Sequence, residues 1–522
     1  MSDAGGWAWR DACARNSVSA GSMPRRAFPI CSAASAAAHE RDPSMLRTLI
    51  VLSIFVPGML LSLKYRFVAL LLYLWFAFFR PLDWMWLDIS ALKPSLLVGI
   101  VLVVPSLLTG VMPNLTHPLS IGSLLFLASS IVAQVNAVNA DVGWSWVDFY
   151  TRLLVVCLLA VTLINTPRRL ATVMAVMSGS FGFHAAKAGL ASMLGGGVRF
   201  FDGLSGAFVD NNGYACGTVM IMPLLVAAGD NLDLVVPENR PKLLLWGRRA
   251  FRLAVPLCAF TVVSTFSRGG FLGLAAATLV YIAFHQKRVR LALGVSALAV
   301  LGLVFVPMPD GYADRLNTLN SYEQDEGSAV SRFHFWQVAK AMADAQPLGV
   351  GLRNYEYAYD DYDFSNGRFG HGRAVHSSHF QVLAELGYPG LAIWLGQFAC
   401  AFLIALRVRR RSWTADLSPA SARMMSTTAT ALMASMTGFL VGGSFLGMAL
   451  NDVTWLTFAI LAALDRVSAD LCAEAKRQPA PAPVVAAPLE DFWSTRPVYA
   501  RGRAALPDNR LGEGGSASRK PA

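Results

Sequence analysis

The chain has 522 residues, of which 55% are hydrophobic and 15% charged, with a mean hydropathy of +0.46. A soluble domain carries about 25% charged residues, so a soluble globular class is excluded. The formal charge of +11 would suit a nucleic-acid binder, but the basic residues sit in short clusters beside hydrophobic ends, the pattern of the positive-inside rule, so nucleic acid is not an expected partner.

Residues 1–44 are small, polar and rich in Ala and Ser, with no apolar core long enough for a secretory signal. They read as a disordered extension or an over-extended gene start. Met45 opens a normal membrane-protein start, LRTLIVLSIF. Apolar segments then fall near 46–62, 67–79, 95–111, 118–135, 147–165, 169–192, 213–229, 252–266, 270–285, 291–307, 388–406, 424–441 and 447–464. This recurrence predicts an all-α polytopic membrane protein of 12–13 transmembrane helices. The first two segments are short, and Pro57 weakens one, so they read equally as one shallow hairpin.

Orientation follows from the basic clusters. Arg168-Arg169, Arg248-Arg249-Arg252, Lys287-Arg288-Arg290 and Arg407-Arg409-Arg410-Arg411 mark one side as cytoplasmic. The connections at 193–212, 267–269 and 308–387 then face outward. Thirteen spans put the N-terminus outside and twelve put it inside. The chain therefore divides into N-terminal spans (45–307), a large external loop (308–387), C-terminal spans (388–464) and a Pro/Ala/Arg-rich tail (465–522), read as disordered and cytoplasmic. The loop carries eleven Asp/Glu and six Lys/Arg, a net acidic balance compatible with translocation. Long insertions of this kind are usually functional. The seven cysteines (Cys13, Cys31, Cys157, Cys216, Cys258, Cys400 and Cys472) form no CxxC and no His/Cys ligand spacing, so neither a disulfide framework nor a zinc site is predicted.

Three external features carry candidate chemistry. In GGGVRFFDGLSGAFVDNNGYACG (195–217), Arg199 and then Asp210-Asn211-Asn212 precede a span. In TFSRGGFLGL (265–274), Arg268 occupies a tight turn between spans. A guanidinium held there can grip a phosphate with two parallel hydrogen bonds, with Gly269 and Gly270 letting the backbone approach. An interfacial arginine snorkelling to lipid phosphate is the plainer alternative. The third feature is the long loop, with Arg332 and His376. A neutral histidine can take a proton from a sugar hydroxyl. Alternatively, His376 or Ser377 merely caps the helix that begins HSSHFQVLAELG. His379 lies one turn on, and Glu385 nine residues on. His334 and His371 read as ordinary loop residues. The run Tyr357-Ala-Tyr-Asp-Asp-Tyr-Asp363 reads as a sugar-stacking surface, a divalent-cation site or, more simply, a solvated loop. His184 and Lys187 lie within a span, where ionisable groups are costly. Lys187, near the outer end, fits the phosphate site, whereas an interhelical hydrogen bond is the duller role for His184.

Together these words resemble the O-antigen ligase and O-antigen polymerase superfamily of bacterial inner-membrane glycosyltransferases, over most of the chain from Met45 to about residue 464. A His, then Asn/Ser/Gln, nine residues and GxxG is matched by His376, Ser377, Gly387 and Gly390; the SRG turn by Ser267-Arg268-Gly269; and an Arg, an aromatic helix and PLGxG by Arg332, Trp336 and Pro347-Leu348-Gly349-Val350-Gly351. FRPLDW (79–84) and HSSHFQVLAELGYPG (376–390) look most like the O-glycosylation ligases found beside exosortase A systems. The resemblance implies transfer of a glycan from undecaprenyl diphosphate at the periplasmic face of the inner membrane, without metal or cofactor. It implies His376 as the base and Arg199, Arg268 and Arg332 at the diphosphate, with Asp210, Asn211, Lys187, His379 and Glu385 in support. The second histidine, His379, leaves the base open to being shared.

The implied acceptors rank as a lipid A core sugar, then a protein Ser/Thr, then a growing glycan in polymerisation. A lipid-linked oligosaccharide flippase is the alternative from another class. It would place ionisable residues along a central path and show repeated halves. Here charges gather at one face and no internal repeat is present. A membrane scaffold would need neither the arginine turns nor the long loop.

Overall fold

The computed structural model describes residues 43–85, 89, 92–196, 203–305 and 326–477. Every regular element among them is helical. The first half comprises α1 (Pro43–Lys64), α2 (Arg66–Phe79), α3 (Pro94–Leu108), α4 (Pro118–Val132), α5 (Ala140–Leu163), α6 (Pro167–Leu194) and α7 (Asn211–Asp230). Then follow α8 (Pro241–Ser264), α9 (Arg268–Phe284) and α10 (Arg288–Phe305). The long loop contributes α11 (Glu326–Ala345) and α12 (Tyr355–Tyr362), and the bundle closes with α13 (Ser378–Thr414), α14 (Pro419–Gly442) and α15 (Asp452–Arg477). Each of the thirteen apolar segments falls on one of these helices. Among the described residues, α1, α4, α5, α7, α13 and α14 are long and apolar enough to cross a membrane. The chain is an all-α polytopic membrane protein.

The helix boundaries follow local chemistry. Proline occupies the first turn of α3, α4, α6, α8 and α14, where its missing N–H has no helical partner to lose. Asn139, Thr166, Asp210, Ser267, Ser377 and Ser418 cap helix starts with a side-chain acceptor. Burial orders the bundle: the apolar window of α7 is 89% buried and that of α1 only 17%, so α7 is central and α1 peripheral. At the basic end, arginines also finish helices. Buried Arg169 donates to Leu163 O at 3.1 Å, at the end of α5, and Arg409 to Phe284 O at 2.8 Å, at the end of α9.

Three expectations change. The first apolar segment is not short: α1 runs 22 residues without a break at Pro57, as membrane helices tolerate where neighbours absorb the freed carbonyl. Only Tyr65 separates it from α2, and the Phe55 and Phe76 rings pack at 5.9 Å. The last helix does not stop at 464. Asp465 accepts from Arg411 at 2.6 Å and Val467 is buried, so α15 stays packed and continues to Arg477. Residues 465–477 therefore belong to the bundle. The described part of the long loop (326–387) is itself folded. Phe335, Val338, Ala339 and Met342 of α11 and Tyr355, Ala358 and Tyr359 of α12 share one core with Val350, Val375 and Ala384. The tyrosine–carboxylate run is thus half interior. Asp363 is turned inward against His334 at 2.7 Å. Among the described residues no group of three His, Cys, Asp or Glu side chains is placed to hold a metal ion.

Candidate active site

Three helix starts meet at the end of the bundle opposite the basic clusters. Asp210 caps α7, its Oδ1 accepting from the Asn212 and Gly213 N–H at 2.9 and 3.0 Å. Ser267 caps α9 through Gly270 N–H at 3.1 Å, and Ser377 caps α13 through Phe380 N–H at 3.4 Å. Close packing ties them together. Asn211 Nδ2 donates to Thr265 O at 2.8 Å, binding the start of α7 to the α8–α9 turn. A Cβ on Gly270 would lie 2.6 Å from Ala215 Cβ of α7, so only glycine lets α9 begin there. Ser378 Oγ donates to Leu446 O at 2.6 Å and accepts from Met448 N–H at 3.1 Å, fixing α13 to the turn after α14. Each start has N–H groups without an intrahelical partner and the positive end of a helix dipole. Arg268, the first residue of α9, adds an exposed guanidinium at this junction.

The loop places His376 over the junction. Its backbone lies in the left-handed region (φ 49), which costs a non-glycine residue energy and is held by the surrounding structure. The ring is half-buried, 6.2 Å from the Phe335 ring, and takes no hydrogen bond from a described residue. Burial first, then the Arg332 and Arg373 guanidinia, hold His376 below the usual histidine pKa, with Asp210 opposing. Burial, then the Arg268 guanidinium, likewise lowers Arg332. The imidazole is therefore in its basic, neutral form at neutral pH, between cations and one carboxylate.

The two glycine words explain each other. At Gly387 (φ 65, ψ −166) α13 breaks. The Tyr388 N–H turns to Pro347 O at 3.2 Å and leaves Ala384 O free. Pro389 has no N–H for Glu385 O. Both orphaned carbonyls are taken by the PLGVG segment, through Val350 N–H at 3.0 Å and Gly351 N–H at 3.1 Å. A Cβ on Gly387 would overlap Pro347 O, and one on Gly349 (φ 92) would overlap Glu385 O. This clasp docks the loop against α13, and Trp336 of α11 stacks on Phe380 at 5.2 Å. The clasp and the stack fix where His376 sits.

The O-Antigen ligase family matches residues 253–395, from α8 through the kink in α13. The chain carries an O-antigen ligase domain. The match supports a membrane glycosyltransferase of the O-antigen ligase/polymerase type. No curated protein matches the chain.

The ligase domain holds Arg268, Arg332 and His376; Asp210 and Asn211 reach them from outside it. Arg199 falls in 197–202, outside the described residues. Lys187 is exposed on α6, and its charge acts on His184, whose Nε2 lies 2.7 Å from Phe79 O. His379 has both ring nitrogens engaged: Nε2 donates to Leu440 O at 3.0 Å, and Nδ1 accepts from Trp394 Nε1 at 3.2 Å. Glu385 is buried beneath the clasp, accepting the Arg353 N–H at 2.8 Å and Gln381 Nε2 at 3.2 Å. Through these bonds it ties the loop to α13. Arg373 is the site neighbour that sequence reasoning missed. Its position three residues before His376, in a glycine-rich stretch, was the available signal.

Proposed function

We propose that this chain transfers a glycan from undecaprenyl diphosphate to an acceptor hydroxyl, at the periplasmic face of the bacterial inner membrane. The carrying observation is His376, a half-buried imidazole with no hydrogen-bond partner among the described residues, on which the Arg332 and Arg373 guanidinia and, opposing them, the Asp210 carboxylate act. The acceptor oxygen attacks the anomeric carbon as His376 takes its proton. The bond from that carbon to the diphosphate oxygen breaks, and its electron pair leaves with undecaprenyl diphosphate. Arg268 and Arg332 meet the charge that develops there, and the dipoles of α7, α9 and α13 add to it. Asp210 stabilises the imidazolium that forms. Arg199 joins the diphosphate by its place in the sequence. A diphosphate is already a good leaving group, so charge stabilisation does more than an acid would. The engaged nitrogens of His379 support assigning the base to His376 alone. A lipid A core sugar is the first acceptor, ahead of a protein Ser/Thr or a growing polymer.

The test uses His376→Ala and Arg268→Ala in a strain lacking the native protein, following undecaprenyl-linked glycan and finished surface glycoconjugate. Glycan accumulating on the carrier outside, with product lost and protein level unchanged, is the expected result. Mature polymer on the carrier favours ligation over polymerisation. Normal product from both variants overturns the site, and glycan trapped inside replaces the reading with a flippase.

A further inference from the structure

The rim beside His376 is a glycine-rich stretch, Asn366-Gly-Arg-Phe-Gly-His-Gly-Arg373. Asn366, Gly367, Gly370 and Gly372 all have positive φ. Its shape is imposed by two aspartates. Asp363 accepts from the Ser365 and Gly367 N–H, both at 2.9 Å, and Asp360 from the Gly372 N–H at 3.1 Å and His371 Nδ1 at 3.3 Å. These carboxylates are spent on the loop and on its histidines. Arg373 is exposed and has no carboxylate partner among the described residues. Its guanidinium carbon lies 5.8 Å from the centre of the Phe335 ring, the ring that also sits 6.2 Å from His376. Tyr359 packs on the same ring at 5.8 Å, and its buried hydroxyl has no hydrogen-bond partner among the described residues. Arg368, also exposed, lies over Phe369, which packs 6.1 Å from Phe335.

We propose that Arg373, with Arg368 behind it and the Tyr359 hydroxyl beside it, forms an acceptor-side subsite for a sugar carrying an anionic substituent, a phosphate or a uronate carboxylate. The subsite rests on the transfer reading above and deepens it by naming the acceptor's chemistry. In the transfer reading above, Arg268 and Arg332 make up the donor side. Arg373 stands over the Phe335 ring, which also packs beside the base. A guanidinium there can hold a charged group two-pronged. It would thereby set which acceptor hydroxyl meets His376, and neutral acceptors would lack that anchor.

The experiment uses full-length protein in nanodiscs, with galactose 6-phosphate, glucuronate and galactose as probes of equilibrium binding. Undecaprenyl diphosphate binding and glycan transfer are measured in parallel. The expected result is that an anionic sugar binds at least about tenfold more tightly than galactose, and that Arg373→Gln abolishes the preference. Arg373→Lys should restore part of it, while galactose and undecaprenyl diphosphate binding stay unchanged. A preference for the phosphate over the uronate, or the reverse, identifies the substituent. No anionic preference in the wild type, or an undiminished preference in a folded Arg373→Gln, overturns the subsite. Transfer that fails while the Arg373-dependent preference persists overturns the transferase reading and leaves the anion subsite standing.

Discussion

Replacing Gly387 by alanine tests how the loop is held. Its φ of 65 and ψ of −166 lie where essentially only glycine is found, and forcing an L side chain there costs about 1–3 kcal/mol. The new Cβ would also overlap Pro347 O, so the clasp must open. Opening it gives up three backbone hydrogen bonds: Val350 to Ala384, Gly351 to Glu385 and Tyr388 to Pro347. At about 1 kcal/mol net each, the bonds alone account for about 3 kcal/mol, or roughly a hundredfold in the docked-to-undocked ratio. Hydrogen exchange of peptides covering 347–353 and 378–388, in full-length protein in nanodiscs, should quicken by about that factor. Transfer should fall with it, while helices far from the loop keep their protection. Gly396→Ala is the matched control: it lies on the same helix with nothing within 4 Å of the added Cβ, so exchange and transfer should match the wild type. Gly349→Ala should reproduce the Gly387 effect, and the pair should be less than additive because both break one clasp. Wild-type exchange and activity in Gly387→Ala would refute the clasp.

Three further outcomes follow from the site. Because burial, Arg332 and Arg373 depress His376, its imidazole stays neutral below the ordinary value of about 6.5. The acidic limb of kcat/KM against pH should therefore lie below 6.5, with activity lost as pH falls through it. Arg373→Gln removes one of the depressing charges and should move that limb upward, and an unmoved limb would contradict the electrostatic assignment. Arg268→Lys keeps the charge but loses the two-pronged grip, so kcat/KM for the lipid-linked donor should fall by about tenfold with little change in melting temperature. His379→Gln should lower thermal stability by breaking its bonds to Leu440 and Trp394, while the pH limb stays where His376 sets it.

The bundle was legible in the sequence because its signals are local. Apolar run lengths, first-turn prolines and Ser/Asp caps each act within a few residues. The turn at Ser267-Arg268-Gly269 was legible for the same reason. What escaped was non-local. The glycines at 349 and 387 could be seen as a pattern, but their purpose appears only when carbonyls orphaned in α13 meet N–H groups some 35 residues earlier. The pairing of His379 with Trp394 and Leu440 crosses helices in the same way, so spacing alone could not show it. The tyrosines of the 357–363 run looked solvated because their neighbours are carboxylates. Tyr359 is buried by α11, an element with no periodic apolar signal strong enough to announce a core.

The placement of the parts explains why the loop must be folded and docked. Arg268 belongs to the bundle, fixed by Gly270 against α7 and by Asn211 to the α8–α9 turn. Arg332 and His376 belong to the loop, one on α11 and the other just before the Ser377 cap of α13. Proton transfer requires the base within hydrogen-bond reach of the attacking hydroxyl, so the distance between the two bodies governs the chemistry. A flexible tether would leave that distance undefined. Here it is set by backbone bonds at Gly387, the Trp336–Phe380 stack and the Ser378 bridge to Leu446 and Met448. The left-handed backbone of His376 adds strain to this arrangement, and its ring lies beside that of Phe335. On this account the glycines of the two sequence words act on catalysis only through position. Substituting them should lower kcat without altering the pH limb that belongs to His376, whereas substituting the arginines around that histidine should move the limb itself.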